Sequence, residues 1–334
     1  MSAAAKPRGF DPTDPIFRWV AFGAATLLLL TLGGIILSLI VGGWPALSKF
    51  GIHFFIQTGQ GCTTFANKHP APGAICAATS WNPVTEVYGA GGPIIGTIIS
   101  SFLALLLALP VAIGIAVFLT QFCPRQLAQP LSTAVELLAG IPSIVYGMWG
   151  LFVFAPFFAK YIQLPLIMTA AKDPHGLLFK LTQGVPNGAN VLTASIILAI
   201  MILPYMAAVF RELFRSIPPQ VREAAFGVGA TPFEVVTSVI IPYVQKGMIG
   251  VVMLGLGRAL GETMAVTFII GNSHRFPKSL FDSSSTLAST IANEFNEATT
   301  AMHTSALIAL GLVLFLITFT VLAIARWLLS SQRY

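Results

Sequence analysis

Six long apolar runs, at about 16–41, 93–120, 133–158, 190–214, 247–271 and 304–329, leave this chain few ways to fold. Each is long enough to supply the roughly 20 helical residues that cross a bilayer. In hydrocarbon no water reaches the backbone, so a crossing segment must satisfy its own N–H and C=O groups, as a helix does. The expected fold is all-α, a polytopic membrane bundle of six transmembrane helices. Only 9% of the residues are charged and 55% are hydrophobic, against roughly 25% charged in soluble domains. No stretch remains for a separate water-soluble domain. Residues 1–15, polar and Pro-containing, read as a cytoplasmic tail, and 16–334 as one membrane domain.

The net charge of +6 does not mark a nucleic-acid binder, because the basic residues are scattered beside the apolar runs and there report orientation. With both termini cytoplasmic, Lys6, Arg8, Arg18, Arg125, Arg211, Arg215, Arg222, Lys246, Arg326 and Arg333 lie inside. A smaller set, Lys49, Lys68, Lys160, Lys172, Lys180, Arg275 and Lys278, is spread over longer outer loops. Basic residues ahead of an apolar run also suit a signal peptide. The first run is too long for one, and Gly42-Gly43-Trp44-Pro45 offers no small-residue cleavage site.

The outer loop at 44–92 carries Cys62 and Cys76. In an oxidising exterior the two are expected to form a disulfide, the alternative being two unpaired thiols. His53 and His69 lie in the same loop, but the spacing fits no zinc pattern. Cys123, at the cytoplasmic end of the second run, is expected to stay reduced. Glu136, three residues after Thr133, reads as a capping box opening the third helix. Pro142 falls inside that run and predicts a kink, as do Pro110 and Pro204 in the second and fourth.

Between the fourth and fifth runs lies an island of mixed polarity at 223–242, EAAFGVGATPFEVVTSVIIP. Pro218 and Pro219 suit a helix start, and Gly229 can take the backbone angles that end that helix. Thr231, Pro232 and Glu234 then mark a fresh N-terminus, with Thr231 as N-cap and Glu234 three residues on. Two short helices with a sharp joint make a knob on the membrane surface. Its pattern, Glu223-Ala224-Ala225, three residues, Gly229, nine residues, then Val239-Ile240-Ile241-Pro242, resembles the EAA loop of ABC importer permeases. The resemblance implies that Glu223, Ala224, Ala225 and Gly229 belong to coupling helices docking on a separate ATPase subunit.

The fifth run contains GLGRALGETMAV at 255–266. Arg258 and Glu262 are four apart, which on one continuous helix puts them on one face. A charge at this depth costs about 2.5–3.5 kcal/mol on insertion scales, so each is expected to offset the other. Gly257 and Gly261 form a small-xxx-small step for a second helix. Two readings stay open: an ion pair tying helices together, or a charged step on a solute path. In the second, Arg258 attracts an oxyanion with its planar fork and Glu262 holds that fork in place.

Together with AGIPSIVYGMWG at 139–150 and the EAA loop, GRALGETMAVTFIIGN is similar to the C-type permease subunits of phosphate-specific (Pst) ABC importers, within the type I importer permeases. The likeness covers about 94–326. It implies a single permease domain over 16–334 in a bacterial inner membrane, with Arg258 and Glu262 on the translocation path. It also implies an A-type sister permease, two ATPase subunits and a periplasmic phosphate-binding protein, and it implies no cofactor.

No G-x-x-x-x-G-K-[ST] occurs, so ATP hydrolysis is expected from a partner, and the chain is read as a transporter subunit, not an enzyme. The EAA loop alone also allows a permease for sulfate or molybdate. An ion-coupled secondary transporter would explain the intramembrane charges but leave the knob idle. An intramembrane enzyme would need clustered His, Asp or Glu, and only Glu136, Arg258 and Glu262 lie at that depth.

Overall fold

The computed structural model describes residues 13–56, 81–84, 86–173 and 176–331. The helices that concern us are α1 (Thr13–Phe50), α2 (Gly91–Phe122), α3 (Arg125–Ala139), α4 (Ser143–Ala170), α5 (Val191–Arg215), α6 (Pro219–Gly227), α7 (Pro232–Leu260), α8 (Met264–Ile269), α9 (Leu287–Glu294) and α10 (Ala301–Ser331). Six of them, α1, α2, α4, α5, α7 and α10, are long and apolar enough to cross a membrane. A two-stranded antiparallel hairpin, β1 (Trp81–Asn82) with β2 (Val87–Tyr88), precedes α2. Cys62, Cys76 and His69 lie outside the described residues; Cys123 is a free thiol.

The bundle is centred on α2 packed along α5. On α2, Ala104, Ala108, Ala112 and Ala116 recur every fourth residue and are fully buried. This flat stripe lets the backbones approach, which is how helices gain contact where lipid removes the hydrophobic drive between them. From α5, Ile197, Met201, Ile202, Met206, Phe210 and Phe214 fill the opposite wall. A second cluster joins the end of α1 to α10 beside the hairpin. There Pro45 interrupts the hydrogen bonding of α1, and Ser305 of α10 compensates. Its hydroxyl accepts from the Ala46 N–H at 3.1 Å and donates to the Gly42 carbonyl at 2.8 Å.

Two expected helices are broken. The third span begins at Ser143 rather than near 133, and residues up to Ala139 form the separate helix α3. Proline has no N–H to continue the ladder and disfavours helical geometry at Ile141, so the chain turns at Gly140 and restarts after Pro142. Thr133 and Glu136 are therefore mid-helix, and no capping box forms: the Thr133 hydroxyl donates back to the Gln129 carbonyl. Pro110 and Pro204, by contrast, lie inside helices that continue past them.

The fifth span is displaced toward the knob. Its helix starts at Pro232 and runs without a joint to Leu260. A π-helical stretch at Val235–Ile240 accommodates the approach to Pro242. The second knob helix is thus the first part of span five, not a separate short helix. At the other end α7 stops at Leu260, and α8 begins after an irregular Gly261–Thr263 joint.

Candidate functional site

The knob is built by local chemistry. Helix α6 ends where Gly229 takes φ +89°, a left-handed conformation that costs a side chain but not glycine. No atom lies within 4 Å of where its Cβ would be, so the backbone angle and not crowding selects glycine. The chain then re-enters helix through a complete capping box. Glu234 accepts from the Thr231 N–H at 2.7 Å, and the Thr231 hydroxyl oxygen accepts from the Glu234 N–H at 3.4 Å. Val235 and Val236 root the second arm in the core. A guanidinium N–H of Arg222 donates to the Phe214 carbonyl, tying α6 to the end of α5. Its most exposed side chains are apolar, Val228 at 85% and Phe233 at 73%; Glu223, Ala224 and Phe226 are exposed too. Val228 and Phe233 thus stand bare in water, the kind of apolar exposure seen at contact surfaces.

The sequence pair Arg258 and Glu262 is not a pair in space. Arg258 lies in the last turn of α7, where a cation complements the negative end of the helix dipole. Glu262 lies past the break and accepts the Ala265 N–H at 3.2 Å, serving the start of α8. Among the described residues no carboxylate lies within ion-pair distance of Arg258. Its side chain is exposed, and its Cζ stands 5.5 Å from the centroid of the Tyr205 ring on α5. The glycine step also falls elsewhere. Gly257 meets only Leu322, at 3.9 Å, and Gly261 meets no other helix, whereas a Cβ on Gly255 would come within 2.6 Å of Met206 Sδ.

The two other motifs meet beside this break. Gly147 of α4 packs on α8 so closely that a Cβ would lie 2.9 Å from Ala265 Cα. The neighbouring Tyr146 hydroxyl donates to the Leu138 carbonyl at 2.9 Å, bridging the gap around Pro142. AGIPSIVYG and GRALGETMAV thus form one wall.

Two charge networks were not foreseen. Arg211, buried near the knob end of α5, donates through Nη2 to Glu136 at 2.6 Å and to Glu212 at 2.7 Å. It thereby holds α3 against the bundle. The signal was present, an arginine on the core stripe of an apolar helix, but its partner is 75 residues away. At the opposite end, the Glu294 carboxylate receives Trp81 Nε1 at 2.5 Å, His274 Nε2 at 2.9 Å and His303 Nε2 at 2.9 Å. Burial pushes this carboxyl up, but hydrogen bonds from His274, Trp81 and His303 outweigh it and hold the group below the usual carboxylate range. The cluster locks the hairpin, the loop after α8, α9 and the start of α10. Among the described residues no group of His, Cys, Asp and Glu could hold a metal ion.

A family model described as binding-protein-dependent transport system inner membrane component matches residues 89–334. The phosphate transport system permease protein PstC of Mesorhizobium japonicum is 50% identical over 330 residues, covering 98% of this chain and 93% of that protein. Its namesake in Haemophilus influenzae is 46% identical over 320 residues, covering 96% and 94%. Among solved structures, a bacterial alginate ABC transporter in complex with an alginate pentasaccharide-bound periplasmic protein matches with TM-score 0.56. That match covers 94% of both chains at 15% identity, and it shows the fold.

Proposed function

Because the chain belongs to the binding-protein-dependent transport system inner membrane components, we propose that it is a permease subunit of an ATP-driven importer of inorganic phosphate. It is a multi-pass inner-membrane protein and a transporter subunit rather than an enzyme. The substrate assignment is supported by relatives of 46–50% identity that bear the phosphate permease name over nearly the whole chain. In this reading a single permease domain over 16–334 has both termini and the knob in the cytoplasm. Glu223, Ala224, Ala225 and Gly229 belong to the surface that docks on an ATPase subunit. Closure of the ATPase dimer on ATP moves the knob. Since the knob's second arm is continuous with α7, that motion reaches Arg258 along one helix. A sister permease completes the path, and a periplasmic phosphate-binding protein delivers the anion to the hairpin end.

One observation carries the site within this reading: Arg258 is an exposed cation with no carboxylate partner among the described residues, at the break of a spanning helix. A fixed guanidinium with open N–H edges matches the oxygens of an oxyanion. Glu262, one break away, keeps the local charge near zero so that the anion is not trapped. Uptake of labelled phosphate by the reconstituted complex tests the function. It is expected to need ATP and the binding protein and to resist excess sulfate or molybdate. Transport of sulfate or molybdate in place of phosphate would move the chain to the other-oxyanion permeases.

A further inference from the structure

An arginine without a carboxylate still needs something to hold it. A long side chain in an open site otherwise samples many rotamers, and an anion arriving there must order it at an entropic cost. Near Arg258 the candidates are few. Glu262 is turned away by the break and accepts from the Ala265 N–H. The negative end of α7 attracts the charge but does not orient a plane. Two aromatic residues remain: Tyr146, within electrostatic reach but with its hydroxyl given to the Leu138 carbonyl, and Tyr205, whose ring centroid lies 5.5 Å from the guanidinium carbon.

The ring is half-buried and packs against the hydrophobic core, one position before the fully buried Met206. Met206 packs against Gly255, one turn before Arg258, so close that a Cβ there would force the methionine side chain to shift. This contact sets the register of α5 against α7 at the height of Arg258. An aromatic face also holds a guanidinium differently from a carboxylate: it takes the flat side of the fork and leaves the in-plane N–H groups open. Arg211 shows the alternative, with Nε and Nη2 both given to carboxylates.

We infer that Tyr205 is the positioning residue of the anion step, holding Arg258 over its ring face so that N–H groups stay open to a phosphate oxyanion. The inference rests on the reading of Arg258 as part of the translocation path. It assigns a role to the ring of Tyr205, not to its hydroxyl.

The test uses the complete transporter, with ATPase subunits and binding protein, in proteoliposomes. Tyr205→Phe, Tyr205→Leu and Tyr205→Met are compared with wild type, each alone and combined with Arg258→Gln. Phosphate uptake is measured per assembled complex. Tyr205→Phe keeps the ring and is expected to transport within about twofold of wild type. The non-aromatic variants are expected to fall about three- to thirtyfold, within the range that cation–π contacts span from exposed to desolvated sites. Combined with Arg258→Gln, they should add no further loss to the residual uptake. Normal uptake by Tyr205→Leu, with Arg258→Gln defective, overturns the positioning role and leaves the path reading intact. So does an equal loss from Tyr205→Leu in both backgrounds, which would make Tyr205 a packing residue. Failure of both the Leu and Met variants to assemble likewise makes Tyr205 a packing residue and overturns the positioning role. Normal uptake by Arg258→Gln itself overturns the path reading and this inference together.

Discussion

Arg211 and Arg258 lie on two packed helices, α5 and α7, yet the fold treats them in opposite ways. Arg211 is buried and gives Nη2 to Glu136 and Glu212, locking α3 to the knob end of the bundle. Arg258 is exposed, rests on an aromatic ring and has no carboxylate within reach among the described residues. A committed arginine is a bolt, whereas an uncommitted one remains able to bind. The same residue type therefore serves scaffold and proposed path, and its surroundings decide which. Conversely, Glu136, which locally suits a helix cap, is half of an interhelical ion pair, while Glu262, which by spacing suits an ion pair, is a cap.

The largest expected effect separates the two arginines by what fails. Arg258→Gln should leave membrane abundance and melting temperature near wild type while phosphate uptake drops about ten- to a hundredfold, the worth of a hydrogen bond to a charged group. Arg211→Gln should do the reverse. Removing a wholly buried partner costs about 3–5 kcal/mol, but Glu136 and Glu212 are 53% and 61% exposed and can rehydrate. About 1–3 kcal/mol is the discounted expectation. That should lower the detergent-solubilised melting temperature and the amount of assembled complex, with uptake per complex preserved. Equal loss of stability in both variants would erase the distinction.

Glu294 extends the comparison to the far end of the molecule, because it is a committed anion. Its side chain is 16% exposed and accepts from three rings. Glu294→Gln should strand donors there and cost about 1–3 kcal/mol at neutral pH. The pH dependence has a definite sign. The carboxyl is held below the usual range by its hydrogen bonds, so its stabilisation is fully present above an ordinary carboxylate pKa of about 4.3. It is lost only as pH falls through the lower folded value. The melting-temperature gap between wild type and Glu294→Gln should therefore persist down to about pH 5 and close below about pH 4. A gap that closes already near neutrality would show that another group carries the lock.

What was legible in the sequence follows the range of the interaction. Six spans could be read because a bilayer forces each segment to satisfy its own backbone. The Gly229 joint and the Thr231–Glu234 box could be read because they involve residues a few positions apart. The Arg258–Glu262 spacing misled because the four-residue rule presumes an unbroken helix, and the chain breaks at Gly261. Gly261 is a local hint of it, but one glycine alone does not stop a helix. The break is supported from outside, by α4 pressing Gly147 onto Ala265. The Arg211 network and the Glu294 cluster join residues far apart in sequence, and Tyr205 meets Arg258 across two helices, beside the Met206–Gly255 contact.

The smallest expected effect tests the break itself. On one continuous helix Arg258 and Glu262 would be partners, and Glu262→Gln would strand a cation at membrane depth at a cost of several kcal/mol. The double change to Gln at both positions would then recover what either single change lost. In the structure Glu262 instead accepts one backbone N–H at the start of α8. A glutamine carbonyl can accept the same bond, so only the charge at a helix N-terminus is lost, about 0.3–1 kcal/mol. Glu262→Gln should then shift the melting temperature little, and the double variant should transport no better than Arg258→Gln alone. Recovery in the double variant would restore the ion pair and make Arg258 a second bolt. Its absence, with both proteins assembled at normal abundance, would keep the two arginines in different trades.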